Sequence, residues 1–179
     1  REVEKLIKEL EDLNRDHARK VKELIAELEK LLRDHAEKVR KLIEEARKTL
    51  EDLREIVERK GPVEELLKEA EKKLKEIKEE IERSSKELKK EIDRIEEDIR
   101  RSTERLRREH KRVADDLRKK GLDKKDVREM IRRSEENLKR LNEEVKRAIR
   151  KVEEDLKELN KRARDVLEEL RKRVEDTFR

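Results

Sequence analysis

The chain has 179 residues, of which 60% are charged, and it contains two glycines, one proline, no cysteine and 1% aromatic residues. This composition excludes disulfide bonds and is typical of a sequence built from helix-forming residues. Basic and acidic residues number 56 and 51, which gives a net charge of +5. A surface of mixed charge is therefore expected, without the one-sided basic face that nucleic-acid binding requires.

High charge also occurs in disordered chains, but here leucine, isoleucine and valine return at helical spacing along the whole sequence. In the first third of the chain, valine recurs every eighteen residues, at Val3, Val21, Val39 and Val57. Eighteen residues make about five turns of an α-helix, so an apolar stripe with this period stays on one face of a straight helix. The pattern predicts long, nearly straight helices.

Two glycines, Gly61 and Gly121, divide the chain into three segments of nearly equal length. Gly61 is expected to take the left-handed conformation that ends a helix, and Pro62 suits the first turn of the next one. After Gly121, Asp123 is expected to cap the third helix, with Asp126 three residues further on. These signals predict one domain, residues 1–179, with helices over residues 2–60, 62–120 and 123–178.

Each predicted helix carries one apolar stripe, which is widest in the first helix, at about 140°. The stripe of the first helix includes Leu13, and that of the third runs through Met130 to Phe178. Helices joined by short turns are antiparallel neighbours. The predicted fold class is all-α: a single-chain, up-down-up antiparallel three-helix bundle.

Eleven polar residues interrupt the predicted stripes. A histidine, a pair of hydroxyl residues and an asparagine each occur twice, eighteen residues apart. Because a buried polar group without a partner is costly, these residues are expected to cluster in layers and to satisfy one another. The predicted buried polar network comprises Asn14, His17, His35, Ser84, Ser85, Ser102, Thr103, His110, Ser134, Asn142 and Asn160.

Folding the chain at the two glycines predicts which polar residues face each other. The expected pairs are His17 with Thr103, Thr103 with Asn142, His35 with Ser85, His35 with Asn160, and His110 with Ser134. Asn14 is expected about one turn from the level of His110. A slipped helix would place these groups against leucine, so the layers penalise wrong helix pairings and registers.

Histidines also serve as metal ligands and catalytic bases, but His17 and His35 are about 27 Å apart along one helix. Neither is followed by a histidine four residues later, and no serine is spaced with histidine and carboxylate as in a triad. We therefore expect no catalytic residue, no metal site, no cofactor and no enzymatic activity.

No apolar run approaches the roughly 20 residues that a membrane span needs, and no signal peptide opens the sequence. The chain is therefore expected to be soluble, and nothing in it assigns a location. Acidic and basic residues alternate throughout, which argues against a membrane surface as well as nucleic acid. No partner is required, and a monomer is expected, with a further helix or a second copy as the possible partner.

The eighteen-residue repeat, the near-equal helices, the minimal glycine turns, the Glu/Lys/Arg surface and the doubled polar layers resemble de novo designed three-helix bundles with buried hydrogen-bond networks. The resemblance covers the whole chain. It implies a structural scaffold without natural biochemical activity, whose polar layers specify helix pairing and register. Two alternatives stay open: a pH-responsive bundle switched by histidine protonation, and an interaction module that accepts a further helix or self-associates.

Overall fold

A computed structural model of the chain describes residues 2–59, 61 and 63–177. It contains three α-helices, α1 (Glu2–Glu58), α2 (Val63–Lys119) and α3 (Lys125–Thr177). No strand occurs in these ranges, so the predicted all-α fold class is confirmed. The helix ends predicted at residues 60, 62 and 178, with Phe178 of the apolar stripe, lie outside the described residues.

Charged side chains pair along the exposed face of each helix. The Arg40 guanidinium lies 2.5 Å from carboxylate oxygens of both Glu37 and Glu44, one turn before and one turn after it. Arg100 and Arg132 are bracketed by glutamates in the same way. Residues three and four positions apart are neighbours on a helix surface. These pairs favour helix formation locally, although solvent screens each of them.

The first of two compact units comprises Arg1–Glu29 and Glu91–Lys151, and so contains one segment of each helix. Ion pairs join Glu9 to Arg112 at 4.0 Å and Glu27 to Arg94 at 3.0 Å. Residue numbers rise along α1 as they fall along α2, so these two segments are antiparallel. All three helices contribute to a core cluster formed by Leu10, Val113, Leu117, Val127 and Ile131.

The second compact unit comprises Lys30–Lys90 and Val152–Arg179. Its α1 and α2 segments are also antiparallel, since Lys38 pairs with Glu80 at 4.0 Å and Glu45 pairs with Lys73 at 3.1 Å. The core again draws on all three helices, with Val39, Leu42, Ile43, Ala46, Leu50, Leu53, Ala70, Leu74, Ile77, Ile81, Ala163, Leu167, Leu170 and Val174. Each unit is therefore a three-helix bundle.

Three side chains of the predicted apolar stripes are exposed, one on each helix, and their predicted place in the core was wrong. Leu13 is 37% exposed, Val63 is 36% exposed and Met130 is 50% exposed. Met130 is adjacent to the buried Ile131, and neighbouring helix positions point about 100° apart, so Ile131 faces the core while Met130 lies at the edge of the stripe. Leu13 is three residues from the buried Leu10, at the edge of the widest stripe. The buried face is thus narrower than the stripe.

The turn between α2 and α3 depends on Gly121, whose φ of +66° is the left-handed conformation that favours glycine at the end of a helix. The Gly121 amide donates to the Arg118 carbonyl at 3.1 Å, and the Leu122 amide donates to the Leu117 carbonyl at 2.8 Å. These are the two hydrogen bonds of a Schellman motif. Leu122 also packs against the core cluster that contains Leu117, so the turn is joined to the core.

The cap of helix α3 lies one residue after the predicted one. The Arg128 amide donates to the Lys124 carbonyl at 3.0 Å, which makes Lys124 the first residue to accept a helical hydrogen bond. The prediction that Asp123 caps α3 was therefore wrong. The Asp123 carbonyl accepts instead from the Arg128 side chain at 2.9 Å, and a tight turn from Leu122 to Lys124 adds the extra residue.

Gly61 follows α1, and its amide donates to the Ile56 carbonyl at 3.0 Å. A Cβ atom at this position would lie 2.7 Å from Ile56 Cγ2 and 3.3 Å from the Ile56 carbonyl oxygen. The close approach of the backbone to Ile56 therefore explains the glycine. Lys60 and Pro62, the other residues of the predicted junction, lie outside the described residues.

Replacing Gly121 with alanine should destabilise the chain by about 1 kcal/mol, because an L side chain is strained at positive φ. Sterics do not contribute, since no atom lies within 4 Å of the added Cβ. Urea unfolding followed by circular dichroism measures the change. Gly121→Asn is the control and should lose less, because asparagine tolerates this conformation better. Equal midpoints for wild type and Gly121→Ala would contradict the assignment.

Candidate functional site: the buried polar layers

All eleven predicted polar residues make side-chain hydrogen bonds. Six are buried and the other five, at the edges of the stripes, are half-buried. The buried residues are His17, His35, Ser85, Thr103, His110 and Ser134. The hydrogen bonds fall into one group in the second unit and three groups in the first.

The polar layer of the second unit is one continuous chain of hydrogen bonds. His35 Nδ1 lies 2.8 Å from Ser84 Oγ, and His35 Nε2 lies 3.3 Å from Asn160 Oδ1. Because an amide oxygen only accepts, Nε2 carries the hydrogen, and Nδ1 of the neutral ring accepts from the Ser84 hydroxyl. Asn160 Nδ2 then donates to Ser85 Oγ at 2.6 Å. Both ring nitrogens of His35 therefore have a hydrogen-bond partner.

The expected direct contact between His35 and Ser85 was wrong. His35 bonds the neighbouring Ser84 and reaches Ser85 only through Asn160. Adjacent residues of a helix point about 100° apart, so one serine of the pair faces α1 while the other faces α3. Both serines belong to the layer, but they serve different helices.

The equivalent layer of the first unit consists of two separate pairs. His17 Nδ1 lies 2.7 Å from Ser102 Oγ, so the expected pairing of His17 with Thr103 was wrong for the same reason. Thr103 instead faces α3, where its hydroxyl donates to Asn142 Oδ1 at 3.1 Å. His17 Nε2 is buried and has no hydrogen-bond partner among the described residues. This layer therefore leaves one ring nitrogen unsatisfied.

A third polar cluster, which is not repeated, joins all three helices. His110 Nδ1 lies 2.9 Å from the Leu106 carbonyl oxygen, which can only accept, so Nδ1 carries a hydrogen in this tautomer. His110 Nε2 then accepts from the Ser134 hydroxyl at 2.6 Å, and Ser134 Oγ accepts from Asn14 Nδ2. Sequence reasoning missed the Leu106 carbonyl, although a contact to the residue four positions earlier is a common helical pattern.

The pKa values of two histidines are shifted. Burial lowers the pKa of His17 below its ordinary value, and the nearby positive charge of Lys20 lowers it further. Burial also lowers the pKa of His35; the hydrogen bond to Asn160 opposes that shift and the charge of Lys38 adds to it. Both rings are therefore neutral near pH 7.

The histidine contacts favour structural over catalytic chemistry. In the described part of the chain, the ring nitrogens bond only hydroxyl, amide and carbonyl groups. A catalytic histidine that activates a serine is usually oriented by a carboxylate. The described residues also include no group of three or more side chains suited to hold a metal ion. Their helices contain no stretch long and apolar enough to cross a membrane.

Comparison with known proteins gives one informative result. No protein-family model matches the chain, and no curated protein matches it. Among solved structures, the chain is similar to a protein described as a computationally designed three helix bundle, with a TM-score of 0.75. The similarity covers 98% of this chain and 92% of that one at 21% sequence identity. The predicted resemblance to designed three-helix bundles is thus confirmed at the level of the fold.

Proposed function

We propose that the chain is a monomeric structural scaffold without enzymatic activity, whose buried polar layers specify how its three helices pair. The observation that carries the proposal is the third polar cluster. Its side chains come one from each helix, Asn14 from α1, His110 from α2 and Ser134 from α3, and they form one directed chain of hydrogen bonds. This series of hydrogen bonds can form in only one arrangement of the three helices.

The third cluster also distinguishes the two repeated layers. The residues eighteen positions from Asn14, His110 and Ser134 are Leu32, Ile92 and Val152. A helix displaced by eighteen residues would match one pair of the repeated layers again, but it would set the third cluster against these apolar side chains. A buried polar group without a partner costs about 1–3 kcal/mol. The unrepeated cluster therefore penalises the one slip that the repeat would tolerate.

The triple variant Asn14→Leu, His110→Ile and Ser134→Val tests the proposal. It replaces the third cluster with the residues found eighteen positions away, so that slipped and intermolecular pairings lose their penalty. Wild type should give one monomer mass by light scattering and one set of backbone amide signals by NMR. The triple variant should give several masses or several sets of signals, because apolar cores without polar layers pair less specifically.

A matched control changes three exposed residues beside the cluster, as Glu11→Gln, Lys111→Gln and Glu135→Gln. This variant should behave as wild type in both measurements. A triple variant of the third cluster that remained a monomer with one set of signals would show that the cluster does not specify pairing.

A second candidate function is a pH-responsive bundle. It is supported by the burial of His17 and His35, which are 5% and 4% exposed, together with their lowered pKa values. Protonation would place a positive charge in each buried layer. His35 would then have to donate from Nδ1 to Ser84, which reverses one hydrogen bond of its layer.

The chain should lose stability as the pH falls below the unfolded histidine pKa of about 6.5. Because the folded pKa values of His17 and His35 lie below the unfolded one, the unfolded state binds more protons in this window. The free energy of unfolding is therefore highest above about pH 6.5. It declines as the pH falls from there towards the lower pKa values of the folded state, by at most about 1.4 kcal/mol per pH unit for each histidine. Urea midpoints measured at about pH 7.5 and about pH 5 give the change.

The double variant His17→Asn and His35→Asn serves as the control and should show a smaller dependence on pH. Glutamates such as Glu37 and Glu97 remain ionised at the lower pH, because hydrogen bonds from Arg40 and Arg100 lower their pKa values. Equal midpoints for wild type at the two pH values would exclude a pH-responsive function.

A further inference from the structure

Two buried side-chain atoms of the first unit have no hydrogen-bond partner among the residues that the structure describes. They are Asn14 Oδ1 and His17 Nε2. Asn14 and His17 are three residues apart on α1, so their side chains are neighbours on one face of the helix, with Cβ atoms about 5–6 Å apart. Buried polar groups in proteins are nearly always hydrogen-bonded, to the protein or to ordered water. A shared partner for the two atoms is therefore expected.

The hydrogen bonds of the third cluster make Asn14 Oδ1 an acceptor. His110 Nδ1 is bonded to the Leu106 carbonyl oxygen, so His110 Nε2 takes the hydrogen of the Ser134 hydroxyl. Ser134 Oγ can then only accept from Asn14, and the amide atom beside it is the donor Nδ2. Asn14 Oδ1, on the other side of the amide, needs a donor.

His17 Nε2 has the opposite requirement. Ser102 Oγ lies 2.7 Å from His17 Nδ1 and makes no other hydrogen bond within the described part of the chain, so its hydrogen goes to Nδ1. The ring is neutral near pH 7, because burial lowers the pKa of His17. A neutral ring that accepts at Nδ1 carries its own hydrogen on Nε2. His17 Nε2 therefore needs an acceptor.

Asn14 and His17 line the same groove, which has a volume of about 430 Å³ and is formed by residues of α1 and α3 alone. His17 Nδ1 is turned towards Ser102 of α2. The two nitrogens lie on opposite edges of an imidazole ring, so Nε2 is turned away from α2 and towards the groove. A cavity needs about 10–15 Å³ to hold one water molecule. The groove is therefore large enough to supply water to both atoms.

Water can enter the floor of the groove without any movement of the helices. Asn14 Oδ1 and His17 Nε2 are buried beneath the lining, which includes the exposed side chains of Arg15, Lys22 and Arg140. Exposed side chains change rotamer within picoseconds to nanoseconds. Movements of this kind open a path from solvent to the two atoms.

We propose that one ordered water molecule on the floor of this groove bridges His17 and Asn14. It accepts from His17 Nε2 and donates to Asn14 Oδ1, and a water molecule has both capacities. Two hydrogen bonds of about 2.8 Å through one water molecule join atoms up to about 5.6 Å apart. This span matches the spacing of neighbouring side chains on one face of a helix.

The bridge joins the His17 layer and the third cluster into one series of hydrogen bonds. Each group then donates to the next, in the order Ser102, His17, water, Asn14, Ser134 and His110. Hydrogen bonds aligned in one direction polarise and strengthen one another. The protein bonds on both sides of the water already have this direction, so the water completes the series without a change of tautomer.

This inference deepens the proposed function, because it ties the His17 layer to the cluster on which that proposal rests. Its test locates a water molecule in the folded wild-type chain, whereas the pairing test compares masses and signals after the third cluster is replaced. Loss of the water bridge would leave the result of the pairing test unchanged, and the reverse also holds.

A crystal structure of the full chain, at a resolution that shows ordered water, tests the inference directly. One water molecule should lie about 2.5–3.2 Å from both His17 Nε2 and Asn14 Oδ1. A direct hydrogen bond between these two atoms would overturn the inference. A well-defined His17 ring with no water within reach of Nε2 would overturn it as well.

Nitrogen-15 NMR at about pH 8, above the unfolded histidine pKa, tests the inference in solution. The hydrogen on His17 Nε2 should show a dipolar contact to water. His35 is the internal control and should show no such contact, because its Nε2 meets Asn160 Oδ1 at 3.3 Å. A His17 ring that carried its hydrogen on Nδ1, or that made no contact to water, would contradict the bridge, and neither result depends on the folding of a variant.

The variant Ala18→Leu tests whether the water lies in the groove, because Ala18 is one of the lining residues. The larger side chain should fill the floor and abolish the contact between His17 and water. Ala36→Leu is the matched control, since Ala36 lies eighteen residues further along α1 and is also half-buried. This variant should keep the contact. A contact that survived Ala18→Leu unchanged would overturn the inference.

Discussion

Replacing His110 with isoleucine should lower the free energy of unfolding by about 2–3 kcal/mol. His110 is only 2% exposed, and its Nε2 is the acceptor for the Ser134 hydroxyl. Isoleucine fills a similar volume, so the loss comes mainly from a buried hydroxyl without its partner. Urea unfolding followed by circular dichroism, near pH 7.5, measures the change.

The triple variant Asn14→Leu, His110→Ile and Ser134→Val is the control for this loss. When all three polar groups are replaced together, none is left buried without a partner, and such replacements are commonly neutral or stabilising. Its urea midpoint should therefore equal or exceed that of wild type. A single variant as stable as wild type would contradict the hydrogen bond from Ser134 to His110.

Replacing Leu28 with alanine should lower the free energy of unfolding by about 3–4 kcal/mol. Leu28 is fully buried, at 0% exposure. Truncation removes apolar contacts and leaves a cavity that a packed bundle fills only in part. The same unfolding measurement applies, and the loss should exceed that of any leucine truncation at the exposed edge of α1.

Leu13→Ala is the matched control, because Leu13 is also a leucine of α1 but is 37% exposed. It should cost less than about 1 kcal/mol, since little apolar surface is lost and alanine favours the helix. Similar losses for the two variants would contradict the difference in burial between them.

Most of the fold could be predicted from local signals. The eighteen-residue repeat indicates helices with one apolar face, and Gly121 marks the end of α2 through the left-handed conformation that it takes. The start of α3 was predicted less well. Asp123 is a favourable capping residue, but the geometry of the turn after Gly121 moves the cap to Lys124. Capping preference alone does not determine where a tight turn ends.

The members of the polar layers could also be predicted, but only some of their pairings. The hydrogen bond between His110 of α2 and Ser134 of α3 could be predicted, because neither residue has an adjacent polar residue of the same kind to compete with it. Where two hydroxyl residues are adjacent, as Ser84 and Ser85 are, the number of a residue gives its level along the bundle but not its direction. The prediction therefore gave His35 the wrong serine, Ser85, as its hydrogen-bond partner.

The sequence by itself determined three helices, their approximate ends and the levels at which polar groups meet, because each depends on helical period and on end signals within a few residues. Only the tertiary structure decided that Met130 is exposed, that Ser84 and Ser102 face the histidines, and that His17 lacks the amide oxygen that His35 has. These outcomes depend on the rotation of each helix about its own axis and on side-chain torsions. Packing against the other two helices sets both.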